Sequence, residues 1–453
     1  MASAAPETGP APGTGLGDVA GLRQVLRNRN FRLLWLAQVA AQLGDKFFAF
    51  SLLLSIYALT GQYISDAVLL LAYTIPSVLL SVPAGLYADR YDKRQLMVWA
   101  NAIRAVLVLL VAVLEATGVA QHQAAPLYLI TLVFAGVGQF FAPAEAASIP
   151  SLVRRRELLA ATSLFTMTVI VTIVVAVPAA SLAQRLLGLE GPYYLGCALF
   201  VGSVVAIWGI RTQLGTGPQL ASQVDRRDRS ALRDVRQAFT TVRHDPLLRF
   251  AFLVLTAALV VVFTIFALSA GYMVHVLDQP AANSYILLVP ATAGMVGMGT
   301  VVGRSGVAVH RTATVVRGLA ATGCAMLVLG VLPQTLAHFK LVGALIPIAI
   351  GLAVVFGLGL GAVLIPAVTL IQEQTEEATR GTVFGGAFVA INLAIAAPLL
   401  VAGAIADAIG ASAVIAASGV GLLGAAWGAH RHPGGSAMPR PRRDTGNGGV
   451  PDP

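Results

Sequence analysis

Long apolar runs dominate this chain, and Gly, Pro and clustered charge interrupt them at regular intervals. A helix needs about 20 mainly apolar residues to cross a hydrocarbon core about 30 Å thick, and on that measure the pattern divides into about twelve spans. They are expected at 31–58, 66–88, 95–118, 126–146, 160–184, 192–210, 249–276, 284–305, 312–333, 341–371, 381–405 and 411–430.

Composition narrows the class. Of 453 residues, 57% are hydrophobic and 11% charged, which excludes a soluble globular domain. The expected fold class is an all-α polytopic membrane protein. Its formal charge of +9 does not indicate nucleic acid, because the basic residues sit in short loops between apolar spans. Arg185 and Lys340 fall in loops of one side, Lys46 and Arg104 fall inside spans, and the other lysines and arginines fall on or near alternate loops and the tails. The positive-inside rule then puts both termini in the cytoplasm, at a plasma membrane of the bacterial inner-membrane type. Residues 1–20 lack the basic start and apolar run of a signal peptide, so the first span is expected to insert directly. Cys197 and Cys324 lie in spans of opposite halves without ligand spacing, so they read as buried small hydrophobes; no metal and no cofactor is expected.

A polar stretch at 211–248 separates six spans from six. The expected organisation is therefore a cytoplasmic tail at 1–30, one six-helix bundle at 31–210, a cytoplasmic linker, a second bundle at 249–430 and a disordered tail at 431–453. Within the linker, Leu232, Val235, Phe239 and Val242 recur at helical spacing among arginines, so 226–249 reads either as a helix on an anionic membrane surface or as a solvated one. The halves repeat their punctuation. Gly136, Gly138, Pro143 and Ala144 are spaced as Gly359, Gly361, Pro366 and Ala367, and Pro76, Gly85 and Arg90 as Pro290, Gly299 and Arg304. Pro178 and Pro398 match similarly.

Two constellations carry candidate chemistry. The first is the loop Gly85-Leu86-Tyr87-Ala88-Asp89-Arg90-Tyr91-Asp92-Lys93-Arg94 between spans two and three. Gly85 would permit close helix packing, Asp89 could meet a helix N-terminus or an arginine, and Arg90, Lys93 and Arg94 are topogenic. Glu145, near the end of span four, reads as snorkelling, as capping or as pairing with Arg90, and pairing with the loop is the preferred reading. The second constellation is charge within the membrane. Gln38, Gln42 and Asp45 follow i, i+4, i+7 and form one polar stripe, bordered by Lys46. In span three Asn101, Arg104 and Glu115 share a face, and Arg104 is the candidate partner of Asp45. Ionised groups at that depth cost roughly 2.5–3.5 kcal/mol each on insertion scales, so compensation is required. An Asp45–Arg104 pair reads equally as a proton-coupling site or as a structural bridge.

The charged loop and the duplicated halves resemble the major facilitator superfamily of secondary transporters. Phe31-Arg32-Leu33-Leu34-Trp35, Gly44-Asp45, Pro143-Ala144 and Arg380-Gly381 resemble its macrolide-efflux and enterobactin-exporter branch. The resemblance implies two pseudo-symmetric six-helix bundles with a central site exposed alternately to each side, a first helix lining that cavity, and a loop that stabilises the outward-open state through Gly85, Asp89, Arg90, Lys93 and Arg94. It implies proton-driven export of an amphipathic, drug-like or siderophore-like molecule, with protons and membrane lipids as the other partners, by a monomer that binds no nucleic acid. Departures from the family pattern are Asp92 in place of a second glycine, no arginine early in span four, and only the proline of a usual glycine-rich run at Val177-Pro178-Ala179-Ala180. A lysophospholipid flippase shares Gly-Asp in helix one and is the alternative; a non-transporting receptor of the same fold is a further one. No nucleophile elbow, phosphate loop or His/Cys cluster suggests an enzyme.

Overall fold

The computed structural model describes residues 24–119, 123–154, 157–212, 214, 245–304, 311–339, 342–374 and 380–431. Within them twelve long helices follow one another: α1 Arg29–Thr60, α2 Tyr63–Arg90, α3 Lys93–Ala116, α4 Ala125–Leu152, α5 Leu158–Leu187, α6 Gly191–Trp208, α7 Pro246–His275, α8 Tyr285–Arg304, α9 Arg311–His338, α10 Leu345–Gln374, α11 Arg380–Ile409 and α12 Ala411–Arg431. Ten are long and apolar enough throughout to cross a membrane; α5 and α11 contain shorter apolar segments.

Each expected span lies within a few residues of one helix, because the punctuation stops helices for physical reasons. Gly61 ends α1 in the left-handed conformation (φ 65°), which glycine adopts without a Cβ clash. Asp92 caps α3, accepting hydrogen bonds from the Arg94 and Gln95 backbone N–H at 2.8 and 3.3 Å. The departure from the family's second glycine is thus a helix N-cap, part of the Asp-x-x-Gln signature. Asp245 caps α7 in the same way, through Leu247 and Leu248 N–H at 2.8 and 3.1 Å, so α7 begins at Pro246, slightly earlier than expected. The expected surface helix at 226–249 lies, up to residue 244, outside the described residues, as does most of both tails.

The halves share a packing scheme. In the first, α2 packs on α4, α3 on α4 and α6, and α1 on α5 and α6. In the second, α8 packs on α10, α9 on α10 and α12, and α7 on α11 and α12, the same pairs six helices later. The repeated glycines serve these crossings. A Cβ on Gly136 would lie 3.2 Å from Leu80 of α2, and one on Gly361 would lie 3.0 Å from Met295 of α8.

Between halves, α2 meets α11, α5 meets α8, and α7 meets α1 and α2. The polar bonds across this seam lie at the face opposite the termini. Asp407 of α11 accepts from the Tyr63 and Ile64 N–H at the start of α2, at 2.7 and 2.9 Å. The Ser181 hydroxyl of α5 donates to the Ala282 carbonyl at 3.0 Å and accepts from Tyr285 N–H at 2.8 Å. Gly403 packs against Ala67, Ile64 and Tyr63, and Gly271 against Tyr57 and Tyr63. That face is closed. At the terminus-bearing face the end of α2 presents exposed Tyr87 and Tyr91, and a Cβ on Gly85 would meet no described residue within 4 Å.

Candidate functional site

Charge is gathered halfway along α1 and α3. One carboxylate oxygen of Asp45 accepts from Lys46 Nζ at 2.6 Å, and the other accepts from the Arg104 guanidinium. Gly44, the preceding residue, lets α1 approach α6: a Cβ there would lie 3.0 Å from the Phe200 ring and 3.2 Å from the Gly196 carbonyl. Gly138 of α4 makes room on the other side, with Arg104 Cζ 3.4 Å from where its Cβ would sit.

Arg104 is held within the bundle. Its Cζ lies 4.3 Å from the Phe134 ring centroid and 4.6 Å from that of Phe200, so the cation is enclosed by two π-faces as well as by Asp45. Its side chain is 7% exposed, whereas Lys46 is 27% exposed and Asp45 19%. Asp45 is therefore shared between a cation locked in the protein interior and a more accessible one. One carboxylate between two cations also leaves a formal excess of one positive charge at this depth.

The other polar residues of the two stripes tie the first bundle together. Gln38 is buried and donates through Nε2 to the Phe165 carbonyl of α5 at 3.3 Å. Asn101 donates to the Ser203 hydroxyl of α6 at 2.8 Å, and Ser203 donates to the Ala37 carbonyl of α1 at 2.9 Å. These two contacts belong to the interior of the first bundle, which corrects the expectation of a cavity lining for Gln38 and Asn101. Glu115 is buried further along α3, with Oε1 unpartnered, and Gln42 is half-buried on α1.

The charged loop differs from expectation in three ways. Glu145 does not pair with Arg90: it is buried on the α4 face that also carries Phe141, Ala144 and Ser148, and its Oε1 has no partner, while Arg90 is exposed. Gly85 makes no close packing contact with any described residue. Arg94 reaches across to the Trp208 carbonyl at the end of α6, tying the loop to its own half. The side chains of Asp89 and Arg380 lie outside the described set. Cys324 is exposed on α9 rather than buried; Cys197 is half-buried.

Sequence reasoning missed Asp66 and Asp407. Asp407 joins the halves as described, and Asp66, one turn into α2, is 0% exposed and among the described residues has no partner on either carboxylate oxygen. Both are solitary acids at the ends of apolar spans, which was the available signal.

Two repeated six-helix halves, joined at one face and enclosing charge at mid-membrane depth, define a membrane transporter fold. Residues 34–397 match the family model of the Major Facilitator Superfamily, and the chain belongs to that family. Among curated proteins it is similar to an uncharacterized MFS-type transporter, YkuC, of Bacillus subtilis (strain 168), at 26% identity over 191 residues. That match covers 41% of this chain and 43% of the relative, less than half of either. Among solved structures it is similar to a POT family transporter in complex with a thioalcohol-conjugated peptide (TM-score 0.68, 11% identity, 92% of this chain and 100% of the other). It is also similar to a bacterial homologue of the human lysosomal transporter Spinster in an inward-facing, unoccupied conformation (TM-score 0.67, 12% identity, 89% and 96%). At these identities the structural likeness establishes the fold.

Proposed function

We propose that this transporter exports an amphipathic small molecule by alternating access, driven by protons, with Asp45 as the coupling carboxylate. The observation that supports this is the sharing of Asp45 between Arg104, fixed in the bundle, and Lys46, which is more accessible. A proton arriving at Asp45 competes with Lys46 for the same oxygen, so protonation exchanges an ion pair for a neutral acid beside a freed cation. A helix movement that separates Lys46 from Asp45 would accomplish the same exchange, which links proton loading to conformation.

Positive-inside topology places the termini in the cytoplasm, so the closed face is the extracytoplasmic one and this conformation is inward-facing. Open space at Gly85 fits that assignment. The signature loop would pack only when the cytoplasmic ends close, which is the outward-open state it is expected to stabilise. Export, the siderophore-like or drug-like cargo, the plasma membrane, a monomeric state and a role that is transport rather than catalysis rest on the efflux-branch resemblance.

The test is transport by purified protein in proteoliposomes under an imposed proton gradient, with amphipathic drugs and fluorescent lysolipids as cargo. Gradient-dependent drug movement that Asp45→Asn abolishes supports the exporter. Lysolipid movement indifferent to the gradient would replace it with a flippase.

A further inference from the structure

Asp66 is an anomaly: a carboxylic acid with no solvent exposure and, among the described residues, no hydrogen-bond partner on either oxygen, in the first turn of α2. Three residues before it, the same helix end receives Asp407 from the other half, which accepts the Tyr63 and Ile64 N–H. Two acids from opposite halves therefore converge on one helix N-terminus. The positive end of α2 satisfies one of them. The other would be a bare buried anion, at a cost of several kcal/mol.

Among the described residues packed around it there is no lysine or arginine. The charge that acts on Asp66 is that of Asp407, another acid. From α1 comes Tyr57, from α2 Tyr63, and from α4 Tyr128, whose hydroxyl donates to the Ser65 carbonyl at 3.1 Å. From α7, His275 stands edge-on to Tyr57, with ring centroids 6.3 Å apart, and Gly271 lets both tyrosines close over the site. Among the described residues no ion pair involves Asp66.

We infer that Asp66 is a proton-binding site of the extracytoplasmic gate: it is neutral while the halves are closed over it and gives up its proton to water on that side when they part. One O–H bond forms on closure, with the proton taken from that solution, and the same bond breaks on opening. The proton gates the transporter and is not carried across the membrane. Because the closed state holds the proton and the open, hydrated state does not, acid on that face favours closure and alkali favours opening. Asp407, already satisfied by two backbone N–H groups and exposed, holds the seam.

This inference rests on the alternating-access reading but needs no cargo and no coupling through Asp45, so its test is separate from the transport assay. Spin labels at Gln62→Cys, exposed just before α2, and Ala408→Cys, exposed on α11, report the gate distance by pulsed electron resonance in a Cys197→Ala, Cys324→Ala background. In liposomes the open-to-closed ratio should rise with external pH by up to about tenfold per unit, the limit for one linked proton. Asp66→Asn should remain closed with a flat profile, and Asp66→Glu, which keeps a titratable acid, should restore the slope. A wild-type distance indifferent to pH, or an Asp66→Asn profile that follows the wild type, would overturn the inference. Infrared difference spectra supply a second readout: a protonated-carboxyl band present at neutral pH and lost in Asp66→Asn supports it, and a band unaffected by that substitution contradicts it.

Discussion

The Arg104 guanidinium on α3 meets the Asp45 carboxylate on α1 between two phenylalanine rings, in the interior of the first bundle. Losing Asp45 strands the buried Arg104 guanidinium, whereas losing Arg104 leaves Asp45 paired with Lys46. Asp45→Ala should therefore destabilise the folded protein by about 3–5 kcal/mol, and Arg104→Ala by less. Asp45→Asn with Arg104→Gln should recover part of that loss. Thermal unfolding of the three variants in one detergent checks both outcomes. Arg104→Lys should not substitute, since a compact ammonium lacks the planar face that lies against Phe134 and Phe200.

Gly44 and Gly85 should respond in opposite ways to an added side chain. Gly44→Val puts methyl groups against the Phe200 ring and the Gly196 carbonyl, forcing α1 away from α6 at a cost of about 1–3 kcal/mol. Gly85→Ala meets nothing within 4 Å and removes a helix-interior glycine, so it should leave stability equal or raise it by about 0.5–1 kcal/mol. If the α2 end packs only in the opposite state, Gly85→Ala should nonetheless slow transport. Unfolding temperature and transport rate measured on the same preparation separate these effects.

Asp92→Ala removes two hydrogen bonds from the first turn of α3 and should cost about 1 kcal/mol, whereas Asp92→Ser keeps a capping oxygen and most of the stability. Chemical denaturation of the pair against wild type gives the comparison.

Asp407→Ala leaves the Tyr63 and Ile64 N–H groups without their acceptor and removes a bond between halves. About 1 kcal/mol of support for the closed face is lost, which changes the closed-to-open ratio roughly fivefold. Greater access of a membrane-impermeant thiol reagent to a cysteine at Ala67, buried behind that contact, is the expected readout.

The sequence announced the helices because each loop carries its own stop signals: Gly61, the Asp92 cap and the Asp245 cap all act within one turn. It also made Asp45 and Arg104 conspicuous, since charge at mid-span requires a partner. Phe134 and Phe200 gave no such sign, because an aromatic ring in an apolar span looks the same whether it faces lipid, core or a cation. The Asp407 contact was equally hidden. Its partners are backbone N–H groups more than 300 residues away, and backbone donors have no sequence signature. Glu145 was misplaced for a related reason: helical spacing assigns a residue to a face, but only the packing of α4 shows that this face turns inward.

The central claim is that transport is linked to protons through Asp45. The most direct measurement is a pH-sensitive dye inside proteoliposomes, followed as a cargo found in the transport assay is added outside without an imposed gradient. Cargo movement should change the internal pH in wild type and fail to do so in Asp45→Asn. Cargo movement with no pH change in wild type, or an unaltered pH response in Asp45→Asn, would contradict the account.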